Sequence, residues 1–311
     1  MPELPEITVY QERLRGLLVG HELRGTRLKS HFLLRSVAPP LEALHGRQLV
    51  DVGRSGKQLL LEFSGEHFAV IHLMISGRLR LRAVGAPLGN RAALLAFDFA
   101  HGSLVWTEAS SKKRSSLHLV VGRSGLDEFD RGGLEVLGAS IEQFAATLAR
   151  ENRTLKRALT DPRLFSGIGN AFSDEILHRA RLSPVKLTSR LDADETERLH
   201  AATQTVLDSW IERMRTEVGD GFPDSFTAAK QGMAVHGRYR QPCPDCGRPV
   251  QRIRYAENEC NYCAVCQNAG RLLADRGLSQ LMHRDWPKTL AELEERRRGT
   301  SDTEAPRADG P

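Results

Sequence analysis

Residues 1–6 read Met1-Pro2-Glu3-Leu4-Pro5-Glu6, and the rest of the chain is organised around them. Pro2 is small enough to permit removal of Met1, which would leave a secondary amine at the start of the chain. An α-amino group titrates near pH 8, about two units below lysine, so it can supply a free base at neutral pH. Such an amine attacks a sugar C1′ or an aldehyde and forms an iminium. Glu3 is a neighbouring carboxylate able to move protons at the same centre. The same six residues also suit a plain helix entry stiffened by two prolines.

Outward from this stretch, residues 5–18 have helical spacing, with Ile7, Tyr10, Leu14 and Leu17 expected to face a core. From Leu23 to about Val121 the pattern shortens to strand-length apolar runs such as Leu59–Phe63, Ala69–Leu73, Ala93–Phe99 and Leu104–Trp106. Turn signals at Ser64-Gly65, Ser76-Gly77, Gly89-Asn90 and His101-Gly102 separate them. This predicts an all-β domain, a sandwich capped by the first helix. Two of its loops are basic. Gly53-Arg54-Ser55-Gly56-Lys57 joins two strands and can hold a lysine and backbone N–H groups against a phosphate. Ser110-Ser111-Lys112-Lys113-Arg114-Ser115-Ser116 has the composition of a phosphate-contacting loop. A solvated hairpin and a solvated charge run are the plain alternatives.

After a glycine-rich connection over 122–138, the period changes to 3.6. Helices are expected over 141–150, 155–160, 171–180 and 194–214, the last with Leu199, Ala202, Val206 and Trp210 on one face and an Asp192–Glu195 capping box. Between two of them, Asp161 to Asn170 carries Gly167 and Gly169, which permit close approach. Asn170 then opens a helix whose N–H groups suit a phosphate, or serves simply as its cap.

All five cysteines lie between 243 and 266. Cys243, Cys246, Cys263 and Cys266 form two C-x2-C pairs separated by sixteen residues, the spacing of a zinc ribbon. An alternative set takes Cys260 with Cys263 and strands Cys266. Arg238, Arg240, Arg248, Arg252 and Arg254 interleave with Tyr239, Tyr255 and Tyr262, which suggests nucleic acid. Short helices are expected over 270–283 and 288–298, with a polar, disordered tail over 299–311.

The 311 residues suffice for two or three domains, and the net charge of +5 is compatible with a nucleic-acid partner. The apolar runs are too short to span a bilayer, so no membrane partner is expected. Charged residues from Glu3 onward argue against a signal peptide. A monomer in the bacterial cytoplasm or nucleoid is expected.

Taken in order, the proline amine, hairpin lysine, glycine-rich asparagine turn and zinc ribbon resemble the formamidopyrimidine-DNA glycosylase and endonuclease VIII family of base-excision repair enzymes, over about residues 2–267. The resemblance implies a multidomain α and β protein with an N-terminal helix plus β-sandwich domain (1–122) and a linker (123–138). A C-terminal helical domain with a helix–two-turn–helix (139–235), a zinc ribbon (236–270), a helical extension (271–298) and the tail (299–311) follow. It further implies damaged double-stranded DNA as partner and one structural Zn²⁺. Pro2 would attack C1′ and displace the base, Glu3 would move protons at the opening sugar, and elimination would then break the strand. Glu6 is implied near the same site. Lys57 and Asn170 would hold phosphates, Ile75 would be the inserted wedge, and Arg238 and Asn258 would contact DNA from the ribbon.

The sequence departs from that family in several places. Ile75, beside Met74, stands where a methionine wedge is common. The stretch Glu108 to Ser116 lacks the family's gap-filling phenylalanine. Asn258 replaces a ribbon arginine, and Gly219 to Gln231 lacks a match to the loop that closes over 8-oxoguanine. Two other readings stay open: a non-catalytic zinc-ribbon protein that binds damaged DNA, and the same chemistry on an unusual lesion.

Overall fold

The computed structural model describes residues 1–224, 231–255, 258–274 and 286–301. The chain divides into two compact units. One comprises Met1–Thr147, Leu159–Gly169 and Gln204–Ala229; the other comprises Leu148–Ala158, Asn170–Thr203 and Lys230–Pro311.

In the first unit, α1 (Leu4–Leu18) buries Ile7, Tyr10, Leu14 and Leu18. Leu17 is only half-buried; Leu18 continues the four-residue step from Leu14 and takes the core position instead. Two antiparallel four-stranded sheets follow. One has the order β1 (Leu23–Leu28), β6 (Ala93–Phe99), β7 (Gly102–Glu108), β5 (Gly77–Arg82). The other has the order β2 (Leu49–Ser55), β3 (Gln58–Phe63), β4 (His67–His72), β8 (Ser116–Val121). Strand β3 alternates strictly, burying Leu59, Leu61 and Phe63, as a strand with one core-facing side must. Strand β4 is buried on both faces. Its outer side, with Phe68 and Val70, packs against Val120, Leu126 and Phe129. Part of the glycine-rich connection, a 3-10 stretch over Arg123–Phe129, therefore covers the sheet.

Strands β2 and β3 pair through Ser55 and Gln58, leaving the two-residue turn Gly56-Lys57. Gly56 takes φ +56°, which a glycine adopts at no steric cost. The turn thus fixes Lys57 at the tip of a rigid hairpin.

The helices α2 (Ile141–Ala149), α3 (Leu155–Thr160), α4 (Asn170–Arg179) and α5 (Ala193–Val218) follow. Leu199, Ala202, Val206 and Trp210 make the buried stripe of α5. The Asp192–Glu195 capping box forms reciprocally, with bonds of 2.8 and 3.2 Å. In the second unit, β9 (Gln251–Tyr255) and β10 (Asn258–Tyr262) make the ribbon hairpin, followed by α6 (Ala264–Asn268) and α7 (Leu290–Ser301). The expected helix over 270–283 is not present at its start. Arg271 pairs with Thr289 and the Leu272 N–H donates to the Lys288 carbonyl, so 271–274 are non-helical; 275–283 lie outside the described residues. The expected tail over 299–311 begins inside α7, and 302–311 lie outside the described residues. Leu272, Leu273, Leu290 and Leu293 of this C-terminal segment pack on Ile253, Cys260, Tyr262 and Ala264, giving the ribbon hairpin a second apolar face.

Candidate active site and metal centre

Glu3 caps α1. Its carboxylate accepts the Glu6 backbone N–H, and Glu6 Oε2 accepts the Glu3 N–H at 2.9 Å. This reciprocal arrangement satisfies two orphan donors at the helix start. It also fixes two carboxylates beside Pro2, all three residues being buried. The glycine-rich turn completes the arrangement. The Gly169 N–H donates to Glu3 Oε2 at 2.7 Å, and the Leu4 N–H donates to the Gly167 carbonyl at 2.9 Å. Both glycines are required sterically. A Cβ on Gly167, at φ +80°, would sit 2.7 Å from Leu4 Cβ, and one on Gly169 would sit 2.5 Å from the Glu3 carboxyl.

Burial dominates the electrostatics here. It holds the Met1 α-amino group below its ordinary value; Glu3 and Glu6 oppose the shift while Arg78 and Lys57 add to it. Burial at this end of the chain thus disfavours the charged form of that amine. Burial, and then the charge of Glu3, push the Glu6 carboxyl up to about 7. A carboxyl poised there exchanges a proton readily near neutrality. Because its folded value lies above its unfolded one, the folded state binds the extra proton, and stability falls as pH rises from about 4.5 to 7. Glu6→Gln keeps an acceptor for the Glu3 N–H but removes the titration. Urea unfolding of both proteins at pH 5 and pH 8 should therefore show the wild type losing up to about 3 kcal/mol more than the variant. Parallel losses would contradict this assignment.

A cavity of about 500 Å³ adjoins the start of the chain, lined among others by Met1, Lys57, His72, Phe129, Arg131 and Arg163. Three of these carry fixed positive charge. Burial, and then Lys57, lower His72 to about 4, so its ring is neutral at pH 7. Its Nε2 has no hydrogen-bond partner among the described residues. Sequence reading passed over His72 and Arg131. His72 interrupts the continuous apolar run of residues 69–73 and reads as a sheet residue, and Arg131 sits in a glycine-rich stretch that reads as a linker. Ile75 is 55% exposed on the turn before β5, a placement suited to a wedge.

In the second unit, one face of α4 is docked on the ribbon. Asn170 Nδ2 donates to the Glu259 carbonyl at 2.9 Å. Asp174 Oδ2 accepts the Asn261 N–H at 3.1 Å and lies 2.8 Å from His236 Nδ1, while Lys156 bridges Asp174 Oδ1 and the Asn170 carbonyl. Glu175 accepts the backbone N–H groups of Ala234, Val235 and His236 at 2.7–2.9 Å. His178 Nε2 lies 3.3 Å from Cys243 Sγ. Arg238 clamps its own loop, donating to the carbonyls of Met233 and Pro242 and to Gln241 Oε1. The side chain of Asn258 lies outside the described residues; its backbone opens β10.

Cys243, Cys246, Cys263 and Cys266 bring their sulfurs within 4.8 Å of one another. Pair separations of 3.9 Å for Cys243–Cys266 and 3.4 Å for Cys246–Cys263 bracket the roughly 3.8 Å that a tetrahedron of Zn–S bonds requires. The soft donor set and closed geometry fit a structural Zn²⁺. Cys260 stands apart, buried with Ile253, Tyr262 and Leu290; burial and Asp174 push its thiol up.

Residues 1–118 match the sequence model of the formamidopyrimidine-DNA glycosylase N-terminal domain, and residues 137–220 match that of the formamidopyrimidine-DNA glycosylase H2TH domain. The formamidopyrimidine-DNA glycosylase of Heliobacterium modesticaldum is 31% identical over 279 residues, covering 86% of this chain and 100% of that protein. The chain belongs to the formamidopyrimidine-DNA glycosylase family. The Thermus thermophilus glycosylase is 32% identical over 286 residues, covering 87% of this chain and all of its own. Among solved structures, Lactococcus lactis Fpg in complex with abasic-site DNA gives a TM-score of 0.76 at 23% identity over 86% of this chain and 99% of its own. The same protein with N7-benzyl-Fapy-dG DNA gives 0.77 at 24%, over 86% of this chain and 100% of its own. These matches agree with the β-sandwich and the helical H2TH domain described above. Among the described residues no helix is long and apolar enough to cross a membrane.

Proposed function

We infer that this glycosylase-family chain excises damaged bases from DNA and cleaves the strand at the resulting abasic site, with the amine of Pro2 as nucleophile. The observation that carries the reading is the Glu3–Glu6–Gly169 arrangement, which sets two buried carboxylates beside the buried Pro2. Once Met1 is removed, the Pro2 nitrogen attacks C1′ of the damaged nucleotide. The glycosidic bond breaks and the base leaves with its electron pair, taking a proton from a carboxyl group. Glu3 is the residue we assign to the sugar, and Glu6, titrating near neutrality, is a reservoir for the same proton. The nitrogen gives up its proton, and its lone pair then expels O4′, which takes a proton from Glu3 as the sugar ring opens; the resulting C1′ iminium acidifies C2′. Loss of the C2′ proton expels the 3′-phosphate by elimination.

The target nucleotide must leave the stack, at a cost of a few kcal/mol. Lys57, Arg131 and the neutral imidazole of His72 line a cavity suited to a phosphate oxygen and help offset that cost. Ile75 is assigned as the wedge and Asn170 as a backbone contact. Arg238, engaged with its own loop, supports the ribbon's shape on this reading, and Asn258 is kept as a DNA contact from the hairpin. A structural Zn²⁺ held by Cys243, Cys246, Cys263 and Cys266 would supply folding energy to the ribbon, not chemistry. The partner is damaged double-stranded DNA, met in the bacterial cytoplasm or nucleoid.

A particular loop favours an altered lesion or opposite-base preference. Glu108 is buried and accepts the backbone N–H groups of Arg114 and Ser115, closing residues 108–116 on themselves without an aromatic to fill a vacated base position. Single-turnover cleavage of duplexes carrying 8-oxoguanine opposite each base, or an oxidised pyrimidine, tests this. Weak opposite-base discrimination or cleavage of the pyrimidine lesion is expected. Strict preference for 8-oxoguanine opposite cytosine would overturn the altered preference, and binding without cleavage of any duplex would overturn the catalytic reading.

A further inference from the structure

We propose that His178 is a built-in hydrogen-bond donor to the metal cage, its Nε2–H donating to the Cys243 thiolate and retaining the zinc without being one of its ligands. The proposal rests on the zinc reading given above.

The geometry is specific. His178 is 3% exposed and Cys243 is 2% exposed, so the 3.3 Å contact is sealed from water. An imidazole placed against a thiolate makes a favourable contact only with the hydrogen on the facing nitrogen, because a sulfur lone pair repels a nitrogen lone pair. The four cysteines already supply the four positions of a tetrahedron. His178 also lies near Asp245 and Cys266, but the Asp245 carboxylate is 4.0 Å from Nε2, beyond hydrogen-bond distance, and Cys243 Sγ is the partner within reach. His178 therefore acts from outside that set.

Charge explains why such a donor is useful. Four thiolates around Zn²⁺ carry a net charge of −2, and burying that charge is costly unless N–H groups point at the sulfurs. Cys263 Sγ accepts the backbone N–H of Cys266 at 3.5 Å. Cys243 takes its donor from a side chain 65 residues earlier in the chain. That side chain sits on α4 four residues after Asp174 and eight after Asn170, on the face already docked to the ribbon. The one bond therefore damps the reactivity of the Cys243 sulfur and fastens the cage to the helix that begins at Asn170.

The test uses the full chain loaded with zinc. Metal content is measured first. Zinc transfer to excess 4-(2-pyridylazo)resorcinol is then timed for the wild type, His178→Phe, which removes the donor, and His178→Gln, which keeps an N–H. Loss of such a partner typically weakens metal retention about 10- to 100-fold. We expect His178→Phe to release zinc at least about tenfold faster and His178→Gln to stay within about threefold of wild type. The thiolate charge-transfer band of the Co²⁺-substituted protein should keep the same intensity in all three, because the ligand count does not change. Should His178→Phe not fold, His178→Met, flexible and without a donor, takes its place. Equal release from wild type and the donor-free variant would overturn the proposal. So would equally fast release from His178→Gln, which would mean that packing alone matters. A Co²⁺ spectrum that changes ligand character in the variants would make His178 a ligand and overturn it as well. Wild-type protein without zinc would overturn the zinc reading and this proposal together, whereas zinc present with unchanged release rates would overturn only the proposal.

Discussion

Cys246→Ser is expected to release the zinc and unfold the ribbon while leaving the β-sandwich intact. The ribbon's own core explains the size of the effect. It consists of Val235, Cys243, Val250 and Cys263, with Cys266 against them, so three of its five members are among the four cysteines assigned to the metal. Without the ion this cluster keeps only two apolar side chains that are not cysteines, and the hairpin is left with its second face alone, the one against Leu272, Leu273, Leu290 and Leu293. Structural zinc contributes about 10–16 kcal/mol, as much as or more than the roughly 5–15 kcal/mol that holds a whole domain. Cys246 is the ligand to change because it is exposed, so the serine disturbs packing least. Hydrogen exchange should show residues 236–255 losing protection while β3 and β4 keep theirs, with zinc content falling to about a tenth or less. Affinity for an abasic duplex should fall by at least about tenfold. A variant that keeps one zinc per chain and full protection would mean that the ligand assignment is wrong.

The second large effect is expected at Gly169→Ala. The added methyl would lie 2.5 Å from the Glu3 carboxyl, so either the carboxylate or the turn must move. Overpacking of this kind costs about 1–3 kcal/mol, which a folded domain survives. Catalysis is less tolerant. The displaced carboxylate loses the Gly169 N–H bond and its place beside Pro2, and an ångström of misplacement costs about a hundredfold in rate. Base excision by Gly169→Ala should therefore fall at least about a hundredfold while zinc content and duplex binding stay near wild type. Gly16→Ala is the control. Gly16 lies on α1 with open space around it, and alanine there should leave activity unchanged and stabilise the helix by up to about 1 kcal/mol. Equal activity of Gly169→Ala and wild type would show that the position of Glu3 does not matter to the reaction.

Much of the fold was legible because local pattern and tertiary demand agree. The period-two runs of β3 and the 3.6-period stripe of α5 each bury what their spacing says they should. The Asp192–Glu195 capping box is short-range and was readable for that reason. What escaped depends on distant partners. Asp174, Glu175 and His178 look like an ordinary solvated helix face in the sequence. They are sealed against residues about 60 to 90 positions later. Leu126 and Phe129 escaped because the glycines and charges around them read as a linker, although two apolar side chains suffice to pin the segment to β4. The segment after Gly270 has helical composition, but the pairing of Arg271 with Thr289 and of Leu272 with Lys288 holds its start extended.

At the candidate site, the order Pro2, Glu3, Lys57, Asn170 and the four cysteines was visible as a set of motifs, while the role of Glu6 was not. A carboxylate pair three residues apart at a helix start reads as favourable charge near the dipole. Only burial beside Glu3 gives Glu6 a value of about 7, on which its proposed part in proton transfer rests. His72 has the same history: its neutral ring follows from the cavity it shares with Lys57, which no local pattern announces.

The central claim is that the Pro2 amine is the nucleophile. The most direct measurement is borohydride trapping on a duplex with a single abasic site, followed by mass mapping of the adduct. Protein whose intact mass shows that Met1 is gone should yield a covalent adduct on the peptide beginning at Pro2, and a variant extended at its amino terminus should yield none. An adduct mapped to Lys57 or another lysine, or an undiminished adduct from the extended variant, would contradict the account.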